Sequence, residues 1–505
     1  MKRLFIAAVV LLLAAPFMHN ARVAALDGQV GIHDPSTIVR CNGRYYTYGT
    51  GGTSLVSDDG WTWRRGTPLP RRGLAPDVIH IGDRYYLYIA ANSGPTKADI
   101  FLLTNRTLDP ASPDYKWEDG GIVASSDGVE DCNAIDPGLL LDPTTKRLWL
   151  TYGSYFGYIR LVELDPKTGK RLNPKEKPRN IAINSEASIL MYHDGWYYLL
   201  VTHGSCCRGA DSGYNIRVGR AKNVAGPFLD NLGIDMLQGG GRLFASSSGR
   251  VIGPGHFGLI DLGDGVQRFS LHYEADLERG GASVLDIRPL LWRDGWPIAG
   301  ENLQAGAYQL ESVRTGTVLE LAVEGVPVGG RLVRRGPPPG GPGGNAGPPP
   351  GGGGGPFAGT GKPIPNQEVA EVSAKWPAGN LDIRMGNYMC QAQQKWMIEP
   401  VANMGGYPGA PYFRIGIAGT TRTLAATAGG ELVVLPAFTG SPEQLWRFDQ
   451  LSDGSWRISP REIPATPDRI DRKDPLVLSA VGSSFATLAR FDRASEKQRW
   501  LIKTP

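Results

Sequence analysis

Asn184-Ser185-Glu186-Ala187-Ser188-Ile189-Leu190 opens a stretch that continues through Trp196-Tyr197-Tyr198-Leu199-Leu200-Val201 and a Cys206-Cys207-Arg208-Gly209 loop to Tyr214–Gly219. It closes on Ala225-Gly226-Pro227-Phe228. Short runs of aromatic and branched residues bounded by Gly and Pro read as strands and turns. A carboxylate, a strand, an aromatic strand, a loop and a third strand make one blade-like sheet. Four further units lie along the chain. His33-Asp34-Pro35 precedes Arg44-Tyr45-Tyr46-Thr47-Tyr48, and Ala75-Pro76-Asp77 precedes Arg84-Tyr85-Tyr86-Leu87-Tyr88. Ile135-Asp136-Pro137 precedes Arg147-Leu148-Trp149-Leu150-Thr151-Tyr152, and Gly255-His256-Phe257 precedes Arg268-Phe269-Ser270-Leu271-His272-Tyr273.

Strand-rich repeats with a period in the tens of residues mean a radial or stacked architecture, and short strands with Gly and Asp turns favour a propeller. Five units predict five blades over residues 26–300. The first strand of each blade lines the central channel, so Asp34, Asp77, Asp136, Glu186 and His256 are expected to converge on one axial pocket. An Asp before Pro is by itself a common turn former. Four carboxylates and a histidine in one place oppose folding through mutual repulsion, and five in register point to chemistry.

After Leu290-Leu291-Trp292-Arg293-Asp294-Gly295-Trp296-Pro297 the pattern changes. Gln394-Lys395-Trp396, Gln444-Leu445-Trp446 and Gln498-Arg499-Trp500 recur some fifty residues apart. Three such units over residues 301–505 predict a β-trefoil with each Trp in a shared core. The fold class is therefore all-β, a five-bladed β-propeller followed by a β-trefoil. Gly336 to Pro365 is mostly Pro and Gly and cannot bury enough apolar surface to fold. It reads as a disordered loop inside the first trefoil unit.

Over 505 residues the net charge is only +4. That leaves no electrostatic demand for a nucleic acid or an anionic membrane. Met1-Lys2-Arg3 and the apolar run Leu4 to Phe17 read as a signal peptide of residues 1–25, with Val23-Ala24-Ala25 as the cleavage site. The mature protein is then expected to be secreted or periplasmic, with no membrane contact after cleavage. Five cysteines, an odd count, are no disulfide framework. A bridge among Cys41, Cys132 and the Cys206-Cys207 pair stays open.

Two carboxyl groups facing each other across a pocket suit glycoside hydrolysis, one protonating the leaving oxygen and the other activating water or attacking the anomeric carbon. The propeller resembles glycoside hydrolase family 43, within it the endo-1,5-α-L-arabinanases. The motifs that carry this are His33-Asp34-Pro35, Asn133-Ala134-Ile135-Asp136-Pro137, Tyr152-Gly153-Ser154-Tyr155-Phe156-Gly157, Glu163-Leu164-Asp165, Ser185-Glu186-Ala187, Cys206-Cys207-Arg208-Gly209, Tyr214-Asn215-Ile216-Arg217-Val218-Gly219-Arg220 and Gly253-Pro254-Gly255-His256. They cover about residues 30 to 298. The C-terminal part resembles ricin-type carbohydrate-binding trefoils more loosely.

The resemblance implies inversion of configuration, with Asp34 as general base, Glu186 as general acid and Asp136 as the residue that tunes the acid's pKa. It implies substrate contacts at Asn133, Ser154, Tyr155, Phe156 and Gly94, with Asp77 in the second-blade pocket strand. His256 would lie near an axial calcium ion, usually held through water, and no organic cofactor is expected. The implied substrate is arabinan of the plant cell wall or a related polysaccharide. The chain departs from the family at Leu74, Ser188 and Phe257-Gly258, where the subsite walls set endo or exo action. An exo-acting α-L-arabinofuranosidase or a β-xylosidase on the same propeller is the alternative. A non-catalytic carbohydrate-binding protein would not need Asp34, Asp136 and Glu186 together.

Overall fold

A computed structural model describes residues 26–92, 94, 97–127, 132–323, 373–464 and 475–505. The expected signal peptide, residues 1–25, and the Pro/Gly-rich stretch 336–365 lie outside them. The described residues are strands and short 3₁₀ turns, with almost no α-helix.

Residues 27–299 form five antiparallel sheets in chain order. Blade 2 runs Leu74–Ile81, Arg84–Ala91, Lys97–Asn105 and Glu118–Asp127, and blade 3 runs Gly138–Leu141, Leu148–Tyr152, Tyr158–Leu164 and Arg179–Ile183. Blade 4 runs Glu186–His193, Trp196–His203, Asn215–Ala221 and Arg242–Ala245, and blade 5 runs Val251–Asp261, Gln267–Asp276, Ala282–Arg293 and Trp296–Ala299. Blade 1 (Val39–Cys41, Arg44–Gly49, Thr53–Ser57, Thr62–Arg65) carries a fifth strand, Asp27–Gly28, parallel to its outer edge. The ring closes where Ile32 N–H donates to Ser283 O and Leu285 N–H to Val30 O.

The aromatic strands are central because both their faces are buried, and their period of two feeds two different cores. In Trp196–His203, Tyr197, Leu199 and Val201 pack with Trp149 and Leu161 of blade 3. Tyr198 and Leu200 pack with Phe269 and Leu271 of blade 5. Blade 2 repeats this: Tyr86 and Tyr88 face blade 3, while Tyr85 and Leu87 face blade 1. Each such side chain contributes roughly 1.5–3 kcal/mol on burial, so alternation along one strand holds three blades together.

In the C-terminal part, among the described residues, ten strands form a connected, barrel-like sheet, and two hairpins, Gly406–Pro411 and Leu476–Arg490, stand as separate two-stranded sheets. The three Gln-x-Trp triplets adopt one geometry. Trp396, Trp446 and Trp500 are fully buried, and their indole N–H groups donate to Leu319 O (2.7 Å), Leu424 O (3.0 Å) and Leu478 O (2.9 Å). Gln394, Gln444 and Gln498 each accept a backbone N–H at 2.7 Å, from Met389, Thr439 and Asp492.

This part docks on the propeller. The hairpin Gly406–Pro411 lies against blade 1, with Gly406 N–H on Asp59 Oδ2 at 2.9 Å and Gly409 N–H on Gly60 O at 3.1 Å. Trp292 N–H donates to Ser452 O and Ser452 N–H to Gly265 O. A Cβ on Gly406 would lie 2.4 Å from the Trp61 side chain, and one on Gly409, at φ 81°, would lie 2.8 Å from Ile287. Only glycine allows that approach.

Candidate active site

At the centre of the ring one non-glycine residue per blade has left-handed backbone: Asp34 (φ 51°), Ala75 (43°), Asp136 (54°), Ala187 (47°) and His256 (57°). Such conformations are uncommon outside glycine and cluster at functional sites. The residues that follow, Pro35, Pro76, Pro137, Ser188 and Phe257, surround one small cavity on the axis. The kinked backbone turns four of these N–H groups toward the preceding blade. Ala75 N–H donates to Thr50 Oγ1 (2.9 Å), Ala187 N–H to Asp136 Oδ2 (3.1 Å), His256 N–H to Thr202 Oγ1 (3.1 Å) and Asp34 N–H to His272 Nδ1 (3.2 Å).

This register corrects the sequence alignment. The equivalents of Asp34 and Asp136 are Ala75, Ala187 and His256, so Asp77 and Glu186 are not in the repeat position. Asp77 accepts Thr37 N–H and Leu139 N–H, each at 2.9 Å, and so joins the inner strands of blades 1, 2 and 3. Both its oxygens are engaged in that seam, and Asp77 also lines the axial cavity. Glu186 stands one residue before the kink.

Asp34 is ringed by donors. Its Oδ1 is 3.1 Å from His256 Nδ1, and its Oδ2 accepts Thr50 Oγ1–H at 2.6 Å and lies 2.8 Å from His33 Nδ1. Burial alone would raise its pKa, but His256 and His33 hold it well below the usual carboxylate range. His33 is bound on its other side, Nε2 to Glu274 Oε1 at 2.8 Å, and Cys207 N–H donates to Glu274 Oε2 at 3.0 Å. Burial lowers the His33 pKa, yet the flanking Asp34 and Glu274 push it up to about 10.

Glu186 has the opposite environment. It is buried, and Tyr214 O–H donates to its Oε1. Burial, then the neighbouring Asp136 charge, raises its pKa to about 8, and burial raises Asp136 to about 6. Asp136 is held there by the peptide N–H of Ala187, the residue after Glu186. The pocket thus pairs a carboxylate kept ionised with a carboxyl kept protonated, the separation that acid and base roles require.

Asn133 is buried with its Oδ1 unpartnered, while Tyr155 and Phe156 expose their rings, 37% and 53%, at a centroid distance of 5.4 Å. Ser154 is fully buried and accepts Phe156 N–H at 3.4 Å, so it supports that loop. Gly94 is exposed, its N–H on Lys97 O at 2.6 Å.

Sequence reasoning did not single out His33, Thr50, Tyr214, His272 or Glu274 as pocket residues. His272 and Glu274 alternate with Tyr273 in one strand, a period-two signal that puts them on one face. The Cys206-Cys207 pair is joined to itself by a disulfide, and Cys41 Sγ lies 3.5 Å from Thr107 Oγ1.

The sequence profile of Glycosyl hydrolases family 43 matches residues 45–297. The extracellular exo-alpha-(1->5)-L-arabinofuranosidase ArbA of Cellvibrio japonicus is 34% identical over 316 residues, 56% of this chain and 90% of that protein. The extracellular endo-alpha-(1->5)-L-arabinanase 1 of Bacillus subtilis is 32% identical over 292 residues, 53% of this chain and 87% of that protein. Among solved structures, an exo-1,5-alpha-L-arabinanase from a bovine ruminal metagenomic library superposes with a TM-score of 0.50 at 35% identity, covering 54% of this chain and 97% of its own. With a match that spans the blades carrying Asp136, Glu186 and His256, this chain belongs to glycosyl hydrolases family 43.

Proposed function

We propose that the protein is a secreted, inverting glycosidase that cleaves α-1,5-linked L-arabinofuranosyl bonds in arabinan. The observation that carries this reading is the contrasting placement of two carboxyl groups, Asp34 among His33, His256 and Thr50 and Glu186 buried beside Asp136 and the Tyr214 hydroxyl, which favours the ionised form of the first and the protonated form of the second. The named activities of the relatives supply the substrate class. Glu186 gives its proton to the leaving-group oxygen as the glycosidic C–O bond breaks. Water attacks the anomeric carbon from the opposite face and passes a proton to Asp34. Asp136 keeps Glu186 protonated until that moment. Asn133 Oδ1 is a buried acceptor with no partner among the described residues, and the Tyr155 and Phe156 rings offer faces on which a sugar can stack.

Export is supported by the extracellular relatives and by the signal-like leader. No helix among the described residues is long and apolar enough to cross a membrane. We assign residues 26–300 to the catalytic unit and 301–505 to a ricin-type carbohydrate-binding trefoil, a reading supported by the threefold Gln-x-Trp geometry.

A calcium ion near His256 belongs to the same proposal. Asp34, His256 and His272 bring ligand atoms within 4.8 Å of one another. That set holds a single carboxylate, whereas calcium takes six to eight oxygens. The residues therefore fit the ion only with water filling most positions and His256 and Asp34 beside it. When bound it would add positive charge to a pocket rich in carboxylates. Chelation is expected to lower the melting temperature and added calcium to restore it. A melting temperature indifferent to both would remove the ion from this reading.

The direct test is incubation with debranched linear arabinan, following product sizes and the first-formed anomer by proton NMR. Inversion makes the β-anomer the first product. An initial α-anomer would exclude this mechanism, and no hydrolysis would exclude the substrate. Mixed oligosaccharides mark endo action; a single short product mark exo action, the activity of the Cellvibrio relative.

A further inference from the structure

We propose that Tyr214 is a positioning residue for the general acid, holding Glu186 Oε1 as an acceptor so that the acidic proton rides on Oε2 toward the leaving-group oxygen. This rests on the reading of Glu186 as the acid.

Tyr214 and Glu186 belong to the same blade, on either side of its second strand. The phenol donates to Glu186 Oε1, and the ring is 4% exposed. Its place is built in. Tyr214 N–H donates to Ser212 Oγ at 3.2 Å. A Cβ on Gly255 would lie 2.9 Å from the ring, so the glycine beside His256 leaves the space the ring fills. Burial and the neighbouring Glu186 push the phenol's ionisation far above its ordinary value. It therefore stays a neutral donor at every working pH.

A carboxylic acid can protonate a substrate only from an oxygen that carries the proton and faces it. With Oε1 accepting from the phenol, that oxygen is Oε2. After transfer the same O–H stabilises the new carboxylate. Tyr214 thus favours the ionised acid, whereas burial and Asp136 oppose it. The other groups facing Glu186 are Asp34 from blade 1, His256 from blade 5 and the Tyr155 phenol. The balance leaves a group that holds its proton near neutral pH and still releases it.

The test is Tyr214→Phe in the full-length protein, beside Asp136→Asn and Glu186→Gln. Substrates are arabino-oligosaccharides and a nitrophenyl arabino-oligoside, whose leaving group departs without a proton. On oligosaccharides Tyr214→Phe is expected to lower kcat roughly 10-fold with little change in KM. Its alkaline limb should rise by about one to two pH units, the worth of a hydrogen bond to a charged group. Asp136→Asn should move the limb down, and the nitrophenyl substrate should lose little in Tyr214→Phe. Incorporating 3-fluorotyrosine at position 214, a stronger donor that keeps the ring, should lower the limb. An unmoved limb in both Tyr214 variants, or equal losses on both substrates, would overturn the proposal and leave Tyr214 a packing residue. Wild-type oligosaccharide rates in Glu186→Gln would instead overturn the reading of Glu186, and the proposal with it.

Discussion

Glu186→Gln and Asp34→Asn are each expected to lower kcat/KM on arabinan by roughly 10²–10⁴-fold, the range that general acid or base assistance supplies. Gln cannot hand a proton to the leaving oxygen, and Asn cannot take one from water. The two variants should part in stability. The Glu186 pKa is raised by folding, so above its unfolded value the native state pays to keep a proton; Gln removes that cost and should leave the melting temperature equal or higher. The Asp34 pKa is lowered by folding, so its contribution is present above the unfolded value and lost only as pH falls through the folded one. Asn removes this contribution and leaves His33 and His256 short of their carboxylate partner, so its melting temperature should fall at neutral pH. Asn tolerates the left-handed backbone of position 34, which keeps the fold itself intact. Steady-state kinetics and calorimetry check both parts. Near-parent rates on arabinan in either variant would end the assignment of that residue.

Asp449→Asn is expected to destabilise the protein by about 3–5 kcal/mol, the cost of removing one partner from a buried ion pair. Asp449 is fully buried between two guanidinium groups. Arg447 Nε lies 2.8 Å from Oδ2 and Arg457 Nη2 lies 2.8 Å from the same oxygen. A third, Arg268 of blade 5, is buried nearby and lies over the Tyr407 ring at 5.8 Å. Tyr407 belongs to the docking hairpin, and its hydroxyl accepts Phe448 N–H at 2.9 Å. One carboxylate thus balances cationic groups at the seam between propeller and C-terminal unit. Burial would raise its pKa, but Arg447 and Arg457 hold it below the ordinary value. Its contribution is therefore full above about pH 4 and lost as pH falls further. Differential scanning calorimetry should show a melting temperature lower by on the order of 10 °C at neutral pH. Asp58, more exposed beside Arg44 and Arg64, is the control, and Asp58→Asn should change little. An unmoved melting temperature in Asp449→Asn would mean that solvent reaches this seam.

The repeat of aromatic strands, the five blades and the threefold Gln-x-Trp pattern were legible in the chain because they are local. A central strand buried on both faces needs aromatic and branched residues at successive positions, and Trp196 to Val201 shows it without any knowledge of neighbours. Each buried Trp likewise advertises itself by the Gln two residues before it. The convergence of Asp34, Asp136, Glu186 and His256 on one axis followed from counting blades. The register did not. Asp-Pro and Ala-Pro pairs mark the kinked residue in three blades, but blades 4 and 5 carry Ala187-Ser188 and His256-Phe257, with no proline. Whether Asp77 or Ala75 matches Asp34 depends on a positive φ that no residue type declares. The protonation states were also beyond sequence. Asp34 and Glu186 are both acids in small-residue settings, and only folding sets one among histidines and the other beside Asp136 and the Tyr214 hydroxyl. His33 and Tyr214 share a blade with the acid they touch, but His256 reaches Asp34 from blade 5 and Asp136 reaches Glu186 from blade 3. Electrostatic environment is a sum over spatial neighbours, and here the tertiary structure alone chooses them.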